Sequence, residues 1–96
     1  MKETKTKAVE MWFLNHPDQG FTTQDCLREC HTTELRKIVC KLIDRGLNVS
    51  RNRWLEVGEN EKVKLYYVTK QEVERYCTHY GIDLKELQWY KQEQTL

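Results

Sequence analysis

Between Leu35 and Ile43 the apolar residues Leu35, Ile38, Val39, Leu42 and Ile43 recur at i, i+3, i+4, i+7 and i+8. That spacing returns to one side of a 3.6-residue turn and predicts an amphipathic helix. A hydroxyl of Thr32 or Thr33 is expected to cap its start, accepting from amides that the first turn leaves free. Gly46 supplies the left-handed stop. Upstream, Val9, Trp12 and Phe13, flanked by Ala8 and Met11, predict a first helix from about Thr6 to Asn15. His16-Pro17-Asp18-Gln19-Gly20 ends it, because proline disfavours helix at the preceding residue and glycine allows a turn. Thr22 and Asp25 have capping-box spacing, which opens a short second helix to about Glu29, with Phe21 placed as a hydrophobic staple. Cys30-His31-Thr32 is the turn into the third helix.

Downstream the period changes to two. Val49–Arg53 and Trp54–Val57 carry strand-type residues, and Gly58-Glu59-Asn60-Glu61 reads as a turn. In Lys62–Val68, Val63, Leu65 and Tyr67 alternate with Lys62, Lys64 and Tyr66, the pattern of a half-buried strand. Thr69 and Glu72 are a second capping box, opening a fourth helix to about Tyr80 with Val73, Tyr76, Cys77 and Tyr80 on one side. Gly81 ends it. Asp83 and Glu86 open a short last helix through Leu84, Leu87 and Tyr90. The expected fold class is α+β: a winged helix-turn-helix of three helices plus a β-hairpin wing over residues 1–69, then a C-terminal helical extension over 70–96.

Ninety-six residues are enough for one small domain. With 39% hydrophobic and 32% charged residues, the core must be compact and much of the surface solvated. No apolar run reaches the ~18 residues of a membrane span. The N-terminal Met-Lys-Glu-Thr-Lys-Thr-Lys has no apolar stretch for a secretory signal. A cytoplasmic protein without a membrane partner is expected. The net charge of +1 is uninformative, but its distribution is not. From Arg28 to Arg53 seven basic residues face three acidic ones, a net of +4, whereas after Lys70 three basic residues face five acidic ones, a net of −2. A basic centre beside an acidic tail fits a nucleic-acid face paired with something else.

The run Leu35-Arg36-x-x-Val39-x-x-Leu42-x-x-Arg45-Gly46-Leu47-Asn48-Val49, followed by Trp54-Leu55-Glu56-Val57-Gly58 and Val63-x-Leu65-Tyr66-x-Val68, resembles a small helix-turn-helix family common in bacteriophages and prophages. The resemblance covers Trp12 to Val68. It implies a winged-helix fold and DNA binding, and leaves the tail after Lys70 outside.

A recognition helix enters the major groove by its N-terminal half. Thr33, Arg36 and Lys37 are therefore the candidates for base-edge contacts, with arginine suited to a two-pronged bond to guanine. Lys41, Arg51, Arg53, Lys62 and Lys64 are the candidates for phosphates, joined by the Thr22 and Thr23 hydroxyls and the free amides of the second helix. Glu34, Asp44, Glu59 and Glu61 oppose this assignment, because carboxylates repel phosphate. Trp12, Phe13, Trp54 and Tyr67 could stack on bases, but at helix and strand spacing in a small domain they are expected to be core.

No nucleophile–base pair, phosphate-binding glycine loop or carboxylate cluster is present, so an enzyme is not expected. Cys26-x-x-x-Cys30-His31 with Cys40 can be drawn as a zinc corner, but it lacks the Cys-x-x-Cys knuckle. No metal or cofactor is expected. Cys26 and Cys30 read as small core residues, Cys40 as exposed, and disulfides are not expected in a cytoplasmic chain.

The leading expectation is a phage or prophage transcriptional regulator that binds double-stranded DNA through the third helix. A single module covers ~600–1,000 Å², so a homodimer is expected. Its candidate surface is Val73, Tyr76, Tyr80, Leu84 and Leu87, with packing back onto the first helix as the alternative. A second class is a phage-encoded protein-binding module that inhibits a host protein partner, such as a CRISPR nuclease or a polymerase, through the same fold.

Overall fold

The computed structural model describes residues 3–87 and 89–91. Its elements run in the order α1 (Glu3–Asn15), α2 (Thr23–Cys30), α3 (Leu35–Asp44), β1 (Ser50–Gly58), β2 (Glu61–Tyr67), α4 (Lys70–Tyr80) and a 3₁₀ turn over Leu84–Glu86. The chain is thus α+β, with one antiparallel hairpin among the described residues. The end of the expected extension, residues 92–96, lies outside the described residues.

Local chemistry accounts for most of the boundaries. At α2 both halves of the capping box form: Thr22 Oγ1 accepts from the Asp25 amide at 3.1 Å, and Asp25 accepts from the Thr22 amide at 3.2 Å. His31 takes the left-handed conformation, φ 58°, that ends α2. A link of residues 31–34 then turns the chain into α3. Neither threonine caps α3 directly: Glu34 is the N-cap residue and makes no side-chain cap. Thr32 instead accepts from the Glu34 amide at 3.2 Å, which shapes the link rather than the helix. At the other end Gly46, φ 103°, closes a Schellman motif, with Gly46 N–H bonded to the Ile43 carbonyl and Leu47 N–H to the Leu42 carbonyl.

The two strand-type runs merge into one strand, β1. Pairing runs from Arg53 opposite Leu65 through Trp54 opposite Lys64, Leu55 opposite Val63 and Glu56 opposite Lys62. Asn60 supplies the left-handed turn position, φ 64°. The expected alternation in β2 does not hold. Val63, Lys64 and Leu65 are all half-buried, and Tyr66 and Tyr67 are both buried. Burial here depends on distance from the body of the protein: the far end of the hairpin is exposed on both faces, and its near end is covered on both.

That near end is bound to the helices by backbone. Phe21, in the link between α1 and α2, exchanges both N–H···O bonds with Tyr66, at 2.8 and 3.0 Å, and so adds a one-residue third strand. The Asp18 amide bonds to the Val68 carbonyl at 2.7 Å. The Phe21 ring is fully buried, stacked on Trp12 at 3.8 Å and edge-on to Phe13 at 5.5 Å. Gly20 has no side chain where Leu65 lies; an added Cβ would meet Leu65 Cδ2 at 2.9 Å.

One apolar core holds the chain together. It joins Val9, Phe13 and Leu14 of α1, Cys26 and Cys30 of α2, Leu35, Val39 and Leu42 of α3, Val68, and Val73, Tyr76 and Cys77 of α4 with Leu87. The region expected as an extension from residue 70 therefore shares the core of the region before it. Thr69 caps α4 by accepting from the Glu72 amide at 3.2 Å, but Glu72 does not return the bond; its carboxylate is used elsewhere. Asp83 caps the 3₁₀ turn alone, accepting from the Lys85 amide at 2.9 Å.

Replacing Phe21 with alanine removes the ring that stacks on Trp12, so F21A is expected to lose about 3–5 kcal/mol in urea unfolding. The control Leu27→Ala, at a residue 51% exposed, should leave the midpoint within ~0.5 kcal/mol of the parent value.

Candidate nucleic-acid interface

The apolar stripe of α3 is buried through Leu35, Ile38, Val39 and Leu42. Rotation of 100° per residue then sends Arg36, Lys37, Cys40, Lys41 and Asp44 outward, and all five are exposed. Arg36, Lys37 and Lys41 have no ion-pair partner among the described residues. Thr33 is exposed but lies in the link, two residues before Leu35. It flanks the amides at the start of α3, which have no side-chain cap. Glu34 and Asp44 sit exposed at opposite ends of the helix. The positive stretch is therefore confined to the turns between them.

The hairpin carries the other four candidates. Arg51, Arg53 and Lys62 are exposed and Lys64 is half-buried. The Arg53 guanidinium lies 4.0 Å over the Tyr67 ring and the Lys64 ammonium 5.3 Å over the Trp54 ring. Glu59 and Glu61 are exposed at the tip. Of the four aromatics expected in the core, Phe13 and Tyr67 are buried and Trp12 is half-buried, packed between Phe21 and His16. Trp54 is not core: it is 56% exposed, because β1 runs out beyond the helices.

Two further expectations are corrected. Thr22 offers no hydroxyl to phosphate, since it is buried and its oxygen is engaged by the Asp25 amide. The Asp25 carboxylate, paired with Arg28 at 2.8 Å, also makes the start of α2 unattractive to an anion. Thr23 alone of that pair faces solvent. The candidate dimer surface is also largely internal. Val73, Tyr76 and Leu87 are buried in the chain's own core, and a side chain without free surface cannot meet a second copy. The apolar face of α4 packs back towards α1, where Tyr76 Oη donates to Glu10 Oε2 at 2.7 Å; beyond α4, Trp89 Nε1 donates to the Leu14 carbonyl at 2.7 Å. Only Tyr80, 50% exposed, and half-buried Leu84 keep surface for a partner.

The tail has another role, which the spacing of the sequence did not signal. Glu72 is buried and accepts from the Asn48 amide at 2.9 Å and from Arg75 Nε at 2.8 Å. Arg75 Nη2 also donates to the Gly46 carbonyl at 2.5 Å, and Tyr80 Oη donates to the Arg45 carbonyl. Residues 45–48, the link from α3 to β1, are thus held by α4 along their backbone. This fixes the angle between the two basic elements. The Arg75 hydrogen bond holds the Glu72 carboxyl below the usual carboxylate range, assisted by the Asn48 amide and opposed by burial.

Burial pushes the Cys26 thiol up to about 12 and raises those of Cys30 and Cys77. These three stay protonated at neutral pH, where a thiol is a poor nucleophile and a poor ligand. Among the described residues no three His, Cys, Asp or Glu side chains are grouped to hold a metal ion, and no helix is long and apolar enough to cross a membrane. In comparisons with protein-family models, curated proteins and solved structures, nothing matches this chain.

Because the folded-state pKa of Glu72 is depressed, its contribution to stability is complete above its unfolded value of about 4.3 and is lost as pH falls through the lower folded value. Glu72→Gln is expected to lower Tm at pH 7. The difference in Tm between parent and E72Q should shrink as pH drops below about 4, read by circular-dichroism melts.

Proposed function

We propose that this chain is a winged helix-turn-helix DNA-binding protein of the phage and prophage type, acting as a transcriptional regulator with α3 in the major groove. The observation that carries the reading is the outer face of α3. Arg36, Lys37 and Lys41 are exposed, without an ion-pair partner among the described residues, on a helix whose opposite face is anchored in the core. The order of elements supports it: α1, the Phe21 bridge, α2, a four-residue link, α3 and a hairpin that pairs back to Phe21. A helix pair joined by so short a link presents its second helix to a groove.

In this arrangement Arg36 and Lys37 reach base edges, Arg36 bonding guanine O6 and N7 together. Thr33 and the uncapped amides of α3 accompany them at the helix entrance, where the helix dipole favours a phosphate. Lys41 meets the backbone along the groove wall, and Arg51, Arg53 and Lys64 meet it on the flanking side. A homodimer would double the ~600–1,000 Å² of one module, with Tyr80 and Leu84 as its available surface.

A second reading, a module that binds and inhibits a host protein, is favoured by one specific feature. The far end of the hairpin carries Glu56, Glu59 and Glu61 beside exposed Val57, 55% accessible. Carboxylates and an apolar side chain there suit a protein surface better than a phosphate backbone.

The test is fluorescence anisotropy with duplex DNA at low and moderate salt. Binding should weaken steeply as salt rises, and the double variant Lys37→Ala/Lys41→Ala should bind about tenfold more weakly or worse. Its log K against log salt should be shallower by about 2, one counterion for each lost phosphate or base-edge cation. Unchanged affinity in the double variant removes α3 as the recognition helix. Absence of DNA binding at low salt turns the assignment to the protein partner.

A further inference from the structure

The hairpin is divided by charge. Its stem, Ser50–Leu55 with Val63–Tyr67, carries three basic residues, Arg51, Arg53 and Lys64, and no acidic one. Its tip, residues 56–62, carries Glu56, Glu59 and Glu61 against Lys62 alone. A polyanion is therefore drawn to the stem and repelled from the tip. At the head of the stem stands Trp54, 56% exposed and outside the apolar core. The indole has no aromatic partner and makes no hydrogen bond among the described residues. Its cross-strand neighbour Lys64 holds an ammonium 5.3 Å over the ring. A flat π surface that the fold leaves open, backed by a cation, is a stacking platform with its own phosphate counter-charge.

We propose that Trp54 and Lys64 form a stacking site for an unpaired nucleotide, so that the protein prefers DNA with a single-stranded tail over an intact duplex. The inference rests on the DNA-binding reading and adds the class of DNA. In an intact duplex each base is covered above and below by its neighbours, and an indole finds a free face only by unstacking a step. At a single-stranded tail the base is already exposed. Trp54 covers that base, Lys64 neutralises the adjoining phosphate, and α3 holds the duplex beside it.

The experiment compares two labelled probes by anisotropy: a blunt duplex, and the same duplex with a short single-stranded tail. The full-length protein should bind the tailed probe about tenfold more tightly. Trp54→Ala should erase that preference while leaving blunt-duplex affinity unchanged, and Trp54→Phe should retain most of it. Because the side chain lies outside the core, W54A should keep the parent far-ultraviolet circular dichroism. Binding of the tailed probe alone supports the stacking site and overturns α3 as a duplex reader. Equal affinity of the parent for both probes overturns the stacking site and leaves the DNA-binding reading standing. So does a W54A variant that keeps the preference; either result leaves the exposed Trp54, Leu55 and Val57 to a protein partner. Loss of blunt-duplex affinity in W54A makes Trp54 a groove contact and overturns the proposal. Absence of binding by both probes overturns the proposal and the DNA reading together.

Discussion

Everything the hairpin does depends on its attachment at Phe21. A two-stranded hairpin is marginal in water, since each strand has only one neighbour and one face to bury. Here most of β1 is exposed, and Trp54, Leu55 and Val57 bury little to hold it. The pair of backbone bonds between Phe21 and Tyr66 supplies what the hairpin lacks. Those bonds are sheltered because the Phe21 ring is sealed against Trp12 and Phe13, and a hydrogen bond shielded from water is not exchanged for solvent. The same residue thus ties α1, the α1–α2 link and β2 into one unit, and its burial is the condition for a rigid hairpin.

The second constraint acts at the other root of the hairpin. A link of a few residues between α3 and β1 would leave the angle between them soft. Glu72 and Arg75 fix it from α4 by bonding to the backbone of Gly46 and Asn48. Backbone acceptors and donors are bound here, while Leu47 and Val49 of the same link are buried in the core. The pair is buried on the glutamate side and half-open on the arginine side, an arrangement in which Arg75 can shed part of its cost to solvent while Glu72 accepts four hydrogen bonds, two from Asn48 and two from Arg75. The region after Lys70 is therefore a brace for the two basic elements, not an appendage beside them.

Two narrow basic stretches result, one on each element. Glu34 and Asp44 bound the first along α3, and the acidic tip bounds the second along the hairpin. Between these limits lie Arg36, Lys37 and Lys41 on one element and Arg51, Arg53 and Lys64 on the other. A nearly neutral chain can in this way present a locally positive surface, because Coulomb attraction at ~8–10 Å screening lengths depends on neighbours rather than on the total.

The helical periods, the α2 capping box and the α3 stop were legible in the sequence, because they are local, whereas the expected threonine cap of α3 does not form. The apolar repeat of α3, the Thr22–Asp25 box and the Gly46 stop depend on residues within a few positions of one another, and the structure has all three. The outward placement of Arg36, Lys37 and Lys41 follows from the same period. What sequence could not determine was which surfaces were already taken. The alternation in β2 implied one buried face, yet burial there is set by how far each residue lies from Phe21. Val73, Tyr76 and Leu87 left a dimer surface and packing onto the first helix both open until α4 is seen packed into the core, with Tyr76 bonded to a glutamate far earlier in the chain. Trp54 has the residue type and strand spacing of a core position and is exposed all the same. Local propensity and period are written in neighbouring residues, but occupancy of a face is a property of contacts between distant ones, and only the tertiary structure decides it.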